Sequence, residues 1–159
     1  MNVTLKSLRQ LCVELAQEDR IMQSRLSPAK IMDLNRRKLC YFVMDSQGVV
    51  TAFAALWPTY RKDFYEFGTL WVHRDYRNKG ISTTIFDRTM SCARKGSLVF
   101  LITKSPKVVH EAKKRKWDEV LYWQSSSNWQ KACVPLGISS KESKRSFTAD
   151  CRLFYTILD

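Results

Sequence analysis

The sequence has no long hydrophobic run and little glycine or proline. Only 5 Gly and 4 Pro occur in 159 residues, of which 45% are hydrophobic and 26% charged, so a collagenous, low-complexity or disordered chain is excluded. The longest nearly apolar run, residues 49–57, is about half of the ~20 residues that a membrane-spanning helix needs. Lys6 and Arg9 interrupt the first turns, so we expect no signal segment. These features predict a single soluble domain in the cytoplasm.

The sequence also lacks the patterns of metal sites and disulfide frameworks. Its cysteines are too far apart to form a CxxC pair, and there are only 2 His. These residues are Cys12, Cys40, Cys92, Cys133, Cys151, His73 and His110. We expect no metal ion, no disulfide and mostly buried thiols, and we interpret both histidines as solvated.

Positive charge is in excess, because 27 Lys and Arg outnumber 15 Asp and Glu and give a formal charge of +12. Such a field favours polyanions, among them nucleic acid, an acidic protein or a cofactor with several phosphates. A generally basic, solvated surface explains the surplus equally well. The same two interpretations apply to the basic cluster formed by Lys107, Lys113, Lys114 and Arg115.

Hydrophobic periodicity predicts an alternation of helices and strands. Helices are predicted over residues 4–23, from Ser27-Pro28 to 38, over 81–94 with Gly96 as the C-terminal cap, and over 106–116. Strands are predicted over residues 39–44, 49–57, 64–72, 98–103, 117–123 and 149–158. Residues 124–147 read as a long loop with a short helix near Trp129. This order predicts an α/β domain with a mixed sheet, in which strands 64–72 and 98–103 are parallel.

The most informative stretch joins strand 64–72 to the helix that begins after Gly80. It reads Leu70-Trp71-Val72-His73-Arg74-Asp75-Tyr76-Arg77-Asn78-Lys79-Gly80-Ile81-Ser82. A helix N-terminus offers unpaired N–H groups and the positive end of a dipole, so it binds phosphate readily. Gly80 would let a ligand approach the backbone, and Arg77 and Lys79 add positive charge. The stretch is neither a P-loop nor a GxGxxG motif.

The pattern V-x-R-x-Y-R-N-K-G-I-S in this stretch resembles the signature loop of the GCN5-related N-acetyltransferases (GNAT), R/Q-x-x-G-x-G/A. The resemblance implies a mixed, mostly antiparallel sheet with helices on both faces and a strand-loop-helix site for acetyl-coenzyme A, the cosubstrate. The pyrophosphate would be surrounded by Arg77, Asn78, Lys79, Gly80, Ile81, Ser82 and Thr83, here called the signature loop. Ser82 replaces the usual Gly or Ala. The pantetheine arm would pair with the backbone of Leu70, Trp71 and Val72.

A second family motif, N-x-x-A-x-x-x-Y-x-K-x-G-F, is matched in part by the helix that begins at residue 106. Ser105 replaces the asparagine and is expected to hydrogen-bond the cofactor arm. Ala112 replaces the tyrosine that often acts as the general acid, and Lys116 replaces the glycine. The general acid is therefore left open among Tyr60, Tyr65, Tyr76 and Tyr122.

Glu66 is the candidate general base. In the histone acetyltransferase branch of the family, a catalytic glutamate lies in the same strand at the same distance from the loop. An ammonium must lose a proton before it attacks a thioester, and a partly buried carboxylate can accept that proton. In a regular strand Glu66, Gly68 and Leu70 share one face, near a Leu70 N–H that polarises the acetyl carbonyl. A bulge near Gly68 would turn the side chain away, and the alternative is an outward charge on a half-exposed strand.

The resemblance thus predicts an N-acetyltransferase in which an amine attacks acetyl-coenzyme A directly in a ternary complex. Its single domain would comprise N-terminal helices (1–38), a cofactor-binding core (39–123), the acceptor-selecting loop (124–147) and a final strand (148–159). The acceptor is left open among small molecules, polyamines, proteins and aminoacyl-tRNA, and the assembly between monomer and homodimer. The alternative is a non-catalytic module of the same fold that binds nucleic acid or a protein through its basic surface.

Overall fold

Two helices precede the sheet in the computed structural model, which describes residues 3–18, 25–132 and 150–159. The helices are α1 (Leu5–Ala16), α2 (Pro28–Arg36), α3 (Ile81–Met90), α4 (Pro106–Lys114) and α5 (Ser127–Ala132). The strands are β1 (Cys40–Met44), β2 (Val50–Pro58), β3 (Phe64–Val72), β4 (Leu98–Thr103), β5 (Asp118–Val120) and β6 (Arg152–Ile157). Short 3₁₀ turns lie at Arg74–Tyr76 and Trp123–Ser125. Within these ranges, no helix is long and apolar enough to cross a membrane.

The six strands form one sheet in the order β1-β2-β3-β4-β6-β5. β1 and β2 are an antiparallel hairpin, and β6 is antiparallel to both β4 and β5. β3 and β4 are parallel, with Phe64 opposite Leu98, and α3 connects them along the chain. The prediction of an α/β domain with a mixed, mostly antiparallel sheet and one parallel crossover is confirmed.

The chain divides into two compact units, of which the first comprises Met1–Leu56 and Thr69–Cys92. In this unit α1 packs on α2, and α2 and α3 contact β1. The buried apolar side chains of these helices are Leu8, Leu11, Leu15, Ile31, Leu34, Ile85 and Phe86. Those of α1 and α2 are spaced three or four residues apart, the amphipathic pattern that predicts the helices. A capping box between Thr4 and Ser7 begins α1.

The second unit comprises Trp57–Gly68 and Ala93–Asp159. Aromatic rings fill part of its core, where the ring of Trp129 lies 6.1 Å from that of Phe64 and 5.5 Å from that of Tyr155. α5, which contains Trp129, has only 6 residues and is too short to be stable by itself. The ring contacts therefore stabilise it against the sheet, and the short helix predicted near Trp129 is confirmed.

The predicted end of α3 is wrong. The helix ends at Met90 instead of residue 94, because the Ser91 hydroxyl and the Cys92 thiol both donate to the Arg88 carbonyl and compete with helical bonds. Gly96 does adopt the left-handed backbone of a cap, with φ 81°. It lies in the turn before β4, however, and does not cap α3.

Other boundaries also differ from the prediction. β5 ends at Val120, since Tyr122 has a left-handed backbone with φ 54° and a 3₁₀ turn follows. The start of the predicted long loop contains this turn and α5, while its part from residue 133 onward, with Cys133, lies outside the described residues. The first helix ends at Ala16. Residues 19–23 of its predicted span also lie outside the described residues. Ser27 precedes α2, but its hydroxyl makes no capping hydrogen bond.

Candidate active site

The chain passes from β3 to α3 through a loop that short-range hydrogen bonds hold in place. The N–H of His73 donates to the Thr51 carbonyl of β2 at 2.8 Å, which anchors the end of β3. The 3₁₀ turn comes next, where the N–H of Tyr76 donates to the His73 carbonyl at 2.9 Å. The N–H of Arg77 closes the turn on the Arg74 carbonyl at 3.3 Å. The signature loop therefore starts from an ordered strand end.

Unpaired backbone N–H groups are the main polar feature of the signature loop. Within the described part of the chain, the N–H groups of residues 78–82 have no hydrogen-bond acceptor. By contrast, the N–H groups of Arg77 and Thr83 on either side are bonded. Asn78 and Gly80 both have left-handed backbone, with φ 63° and 73°. Five consecutive unpaired amides at the start of a helix can bind an anion.

Gly80 is the N-cap of α3 and provides no side chain to the helix start. Its positive φ strains any residue that has a Cβ. A Cβ added to Gly80 would meet no atom within 4 Å, so the protein leaves the space beside this residue open. Open space beside unpaired amides fits a phosphate group.

The side chain of Arg77 is held by two hydrogen bonds. Nε donates to the Val72 carbonyl at 2.8 Å, and Nη2 donates to Oε1 of Glu18 at 2.5 Å. The ammonium of Lys79 lies 5.3 Å from the centre of the Tyr76 ring, within reach of a cation–π interaction. Sequence reasoning missed Glu18, because it lies 59 residues from Arg77 and no motif connects the two.

A polar cleft of about 190 Å³ lies next to the 3₁₀ turn. It is lined by Glu14, Gln17, Glu18, Trp71, His73, Arg74 and Arg77. His73 is not the solvated residue that was predicted, because its side chain is only 22% exposed and its Nδ1 accepts the Asp75 N–H at 3.3 Å. This bond caps the turn and leaves the hydrogen of the neutral ring on Nε2. His110 is exposed, as predicted.

β3 has the predicted bounds but is not a regular strand. Thr69 has φ 58°, a left-handed backbone that is rare for a β-branched residue. The alternation of faces is therefore interrupted between Glu66 and Leu70, and the regular strand assumed for their shared face is not present. Glu66 and Phe67 are adjacent and both buried, at 4% and 3% exposure. The interpretation of Glu66 as an outward, half-exposed charge is wrong.

Glu66 and Ser105 belong to the second unit, whereas the other candidate site residues belong to the first. Glu66 lies opposite Phe100 in the parallel ladder of β3 and β4. Ser105 is the N-cap of α4, and its N–H donates to Oγ1 of Thr103 at 3.0 Å while its hydroxyl makes no capping bond. Ala112 is fully buried, and its methyl group cannot donate a proton.

Two neighbouring thiols, Cys40 and Cys92, are not activated as nucleophiles. Burial, together with the nearby Cys92, raises the pKa of Cys40 to about 12, and burial also raises the pKa of Cys92. Both thiols therefore stay protonated near neutral pH. The described ranges also contain no group of three His, Cys, Asp or Glu side chains that could hold a metal ion.

Carboxylates lie close to part of the basic cluster on α4. Arg115 forms an ion pair with Glu111 one turn earlier. The hydrogen bond from Arg152, and more weakly the charge of Lys113, lower the pKa of Glu119. The positive charge of this helix is therefore partly offset within the protein.

The chain matches the acetyltransferase (GNAT) family over residues 6–129. Solved structures of low identity share its fold. Rv2747 from Mycobacterium tuberculosis, in complex with CoA and NLQ, has a TM-score of 0.66 at 15% identity over 98% of this chain and 94% of that one. Diaminobutyrate acetyltransferase EctA from Paenibacillus lautus, in complex with L-2,4-diaminobutyric acid and coenzyme A, has a TM-score of 0.63 at 12% identity, covering 98% and 91%.

A ribosomal-protein-alanine N-acetyltransferase from Brucella melitensis gives a TM-score of 0.61 at 15% identity over 99% of this chain and 98% of that one. No curated protein matches the sequence significantly. The family match spans most of the chain and includes β3, the signature loop and α3. By this match, the chain belongs to the acetyltransferase (GNAT) family.

Proposed function

We propose that this protein is an N-acetyltransferase that uses acetyl-coenzyme A as the acetyl donor. The observation that supports this most directly is the run of unpaired N–H groups over residues 78–82, beside the open space at Gly80. These groups fit the pyrophosphate of coenzyme A, with which two of the similar structures are in complex. When bound, acetyl-coenzyme A supplies an acetyl thioester that an amine can attack.

The donor would be held mainly by backbone groups. Residues 77–83 would surround the pyrophosphate, and Ser82 adds an exposed hydroxyl that can donate to a phosphate oxygen. The backbone of residues 70–72 would pair with the pantetheine arm in the manner of an added strand. The hydroxyl of Ser105, which α4 does not use as a cap, could donate to the same arm.

The acceptor amine must be neutral when it attacks, and Glu66 is our candidate for the group that removes its proton. The residue is buried, at 4% exposure, and a carboxylate is one of the groups that can act as a general base. The proton would move from the acceptor nitrogen to a carboxylate oxygen of Glu66, directly or through one water. The N–H of Leu70 would stabilise charge on the acetyl oxygen.

The general acid stays unassigned. Ala112 replaces the usual tyrosine and is fully buried. Of the tyrosines considered, Tyr60 and Tyr122 are 66% and 82% exposed. The missing tyrosine favours the second candidate function, a non-catalytic module that binds a polyanion or a protein partner through its basic surface.

A turnover screen tests the proposal and separates the two functions. Purified protein and acetyl-coenzyme A are incubated with small amines, polyamines, peptides and aminoacyl-tRNA, and free thiol is followed while mass spectrometry identifies the acetylated product. An enzyme releases thiol in proportion to product with at least one acceptor. A protein that neither releases thiol nor binds coenzyme A would contradict the proposal, whereas binding without turnover would favour the module.

A further inference from the structure

The Arg77 side chain joins three parts of the first unit. Its Nε bond to the Val72 carbonyl spans the whole 3₁₀ turn, from the last residue of β3 to the first residue of the signature loop. Its Nη2 bond reaches Glu18, which follows α1 and whose N–H donates to the Leu15 carbonyl at 3.0 Å. The guanidinium therefore already has an acceptor on two sides.

Glu18 is poorly placed for the stability of α1 itself. A carboxylate just after a helix C-terminus lies at the negative end of the helix dipole and is repelled by it. The ion pair with Arg77 offsets that repulsion. This contact with the loop explains how an acidic residue is accommodated after α1. Glu14, one turn earlier and in the same cleft, forms no ion pair within the described residues.

We propose that Glu18 is a positioning residue for the cofactor site. By holding the guanidinium of Arg77 against the Val72 carbonyl, it keeps the 3₁₀ turn closed and so fixes the direction in which the amides of residues 78–82 point. The inference rests on the proposed function, since it concerns how that site binds coenzyme A. In this account Arg77 contributes geometry to the site, and the backbone amides contribute the contacts with phosphate.

If Arg77 instead bound phosphate directly, replacing Glu18 would change coenzyme A affinity in the opposite direction. If the guanidinium of Arg77 were itself a phosphate ligand, Glu18 would compete with the pyrophosphate for it. Removing the negative charge of Glu18 would then strengthen coenzyme A binding. If Glu18 positions the loop, the same change weakens binding, because the Arg77 side chain loses one of the two hydrogen bonds that hold it.

The experiment compares Glu18→Gln with the matched control Glu14→Gln. Calorimetric titration with coenzyme A gives Kd, and steady-state kinetics give kcat and the KM for acetyl-coenzyme A. For a pair that is 48% and 41% exposed, we expect Glu18→Gln to raise both Kd and KM about two- to fivefold, with kcat unchanged. Glu14→Gln should match the wild type, and far-UV circular dichroism confirms that both variants are folded.

Arg77→Gln and the double variant complete the cycle. Because Glu18 acts through Arg77, Glu18→Gln should have no further effect on Kd once Arg77 is replaced. Tighter or unchanged binding in Glu18→Gln, or full additivity in the double variant, would overturn the positioning role while leaving the acetyltransferase proposal intact. Absence of coenzyme A binding in the wild type would instead overturn both.

Discussion

Glu66 is the buried carboxylate on which the proposed chemistry depends. Among the described residues, the only other buried charged residue is Arg25, and Glu66 lies at 4% exposure in a strand of otherwise apolar and small residues. Burying a carboxylate costs free energy unless the group is paired or hydrogen-bonded. The strand leaves its regular path three residues later, at Thr69. Strained backbone of this kind is concentrated at functional sites.

At the residue scale, we expect Glu66→Gln to lose at least about a hundredfold in kcat near neutral pH, because general base catalysis typically contributes 10²–10⁴-fold. The amide keeps the shape of the side chain but cannot take a proton. Coenzyme A affinity should be unchanged, and activity should partly recover at high pH as free amine accumulates. Steady-state pH profiles and calorimetry measure these effects.

Glu119→Gln is the control for that prediction. Glu119 is another strand carboxylate of the second unit, bonded to Arg152, and its loss should leave kcat unchanged. A fall of less than threefold for Glu66→Gln, with an unaltered pH profile, would contradict its role as the base.

The end of α4 shows how an element tolerates a residue that its geometry disfavours. Lys116 has φ 58°, and the bonds that flank it form a Schellman motif: Lys116 N–H to the Lys113 carbonyl at 2.9 Å and Trp117 N–H to the Ala112 carbonyl at 3.1 Å. This is a glycine position, and the resemblance also places a glycine here. α2 ends in the same way, with Lys38 at φ 55°.

At the element scale, Lys116→Gly should stabilise the protein by about 0.5–1 kcal/mol. Relief of left-handed strain exceeds the entropy that glycine adds to the unfolded chain. Lys114→Gly is the matched control, because Lys114 is helical and exposed, and it should destabilise by about 0.5–1 kcal/mol. Urea unfolding gives both values, and a Lys116→Gly protein less stable than the wild type would contradict the assignment.

Strands and helix ends differ in how far the sequence predicts them. The aromatic and β-branched content of residues 64–72 and 98–103 predicts β3 and β4 with their observed bounds. The end of α3 depends on side-chain bonds from Ser91 and Cys92, which periodicity does not reveal. Thr69 is harder still, because a β-branched residue favours extended backbone and only tertiary contacts can impose another conformation.

The same limit applies to the candidate site. Residues 70–83 are contiguous, so one strand-loop-helix pattern predicts their arrangement together. Glu18 and the cleft come from elements distant in sequence, and only the structure shows them beside Arg77. The burial of Glu66 was not predictable either, since the apolar and polar residues of β3 do not alternate cleanly.

At the scale of the whole molecule, the formal charge of +12 provides an attractive field for any polyanion, so it does not by itself distinguish enzyme from binding module. The basic cluster on α4 has Glu111 and Glu119 nearby, and we expect it to be a solvated face. A Lys113→Ala/Lys114→Ala variant should then bind coenzyme A with the affinity and salt dependence of the wild type.

The salt series needs a positive control, and Lys79→Ala in the signature loop provides it. Losing a charge at the proposed phosphate site should flatten the dependence of log Kd on log salt concentration. A flattened slope for the Lys113→Ala/Lys114→Ala variant would instead place an anion contact on α4.

The most direct test of the central claim is calorimetric titration of coenzyme A into the wild type, Gly80→Glu and Gly48→Glu. Gly48 and Gly80 share a left-handed backbone, with φ 78° and 73°, and open space beside them, so both substitutions add similar strain. Only Gly80→Glu adds negative charge and bulk to the signature loop. The account predicts that it weakens binding by at least about a hundredfold, because a like charge is placed against phosphate, while Gly48→Glu binds normally. A folded Gly80→Glu protein with wild-type affinity would contradict it.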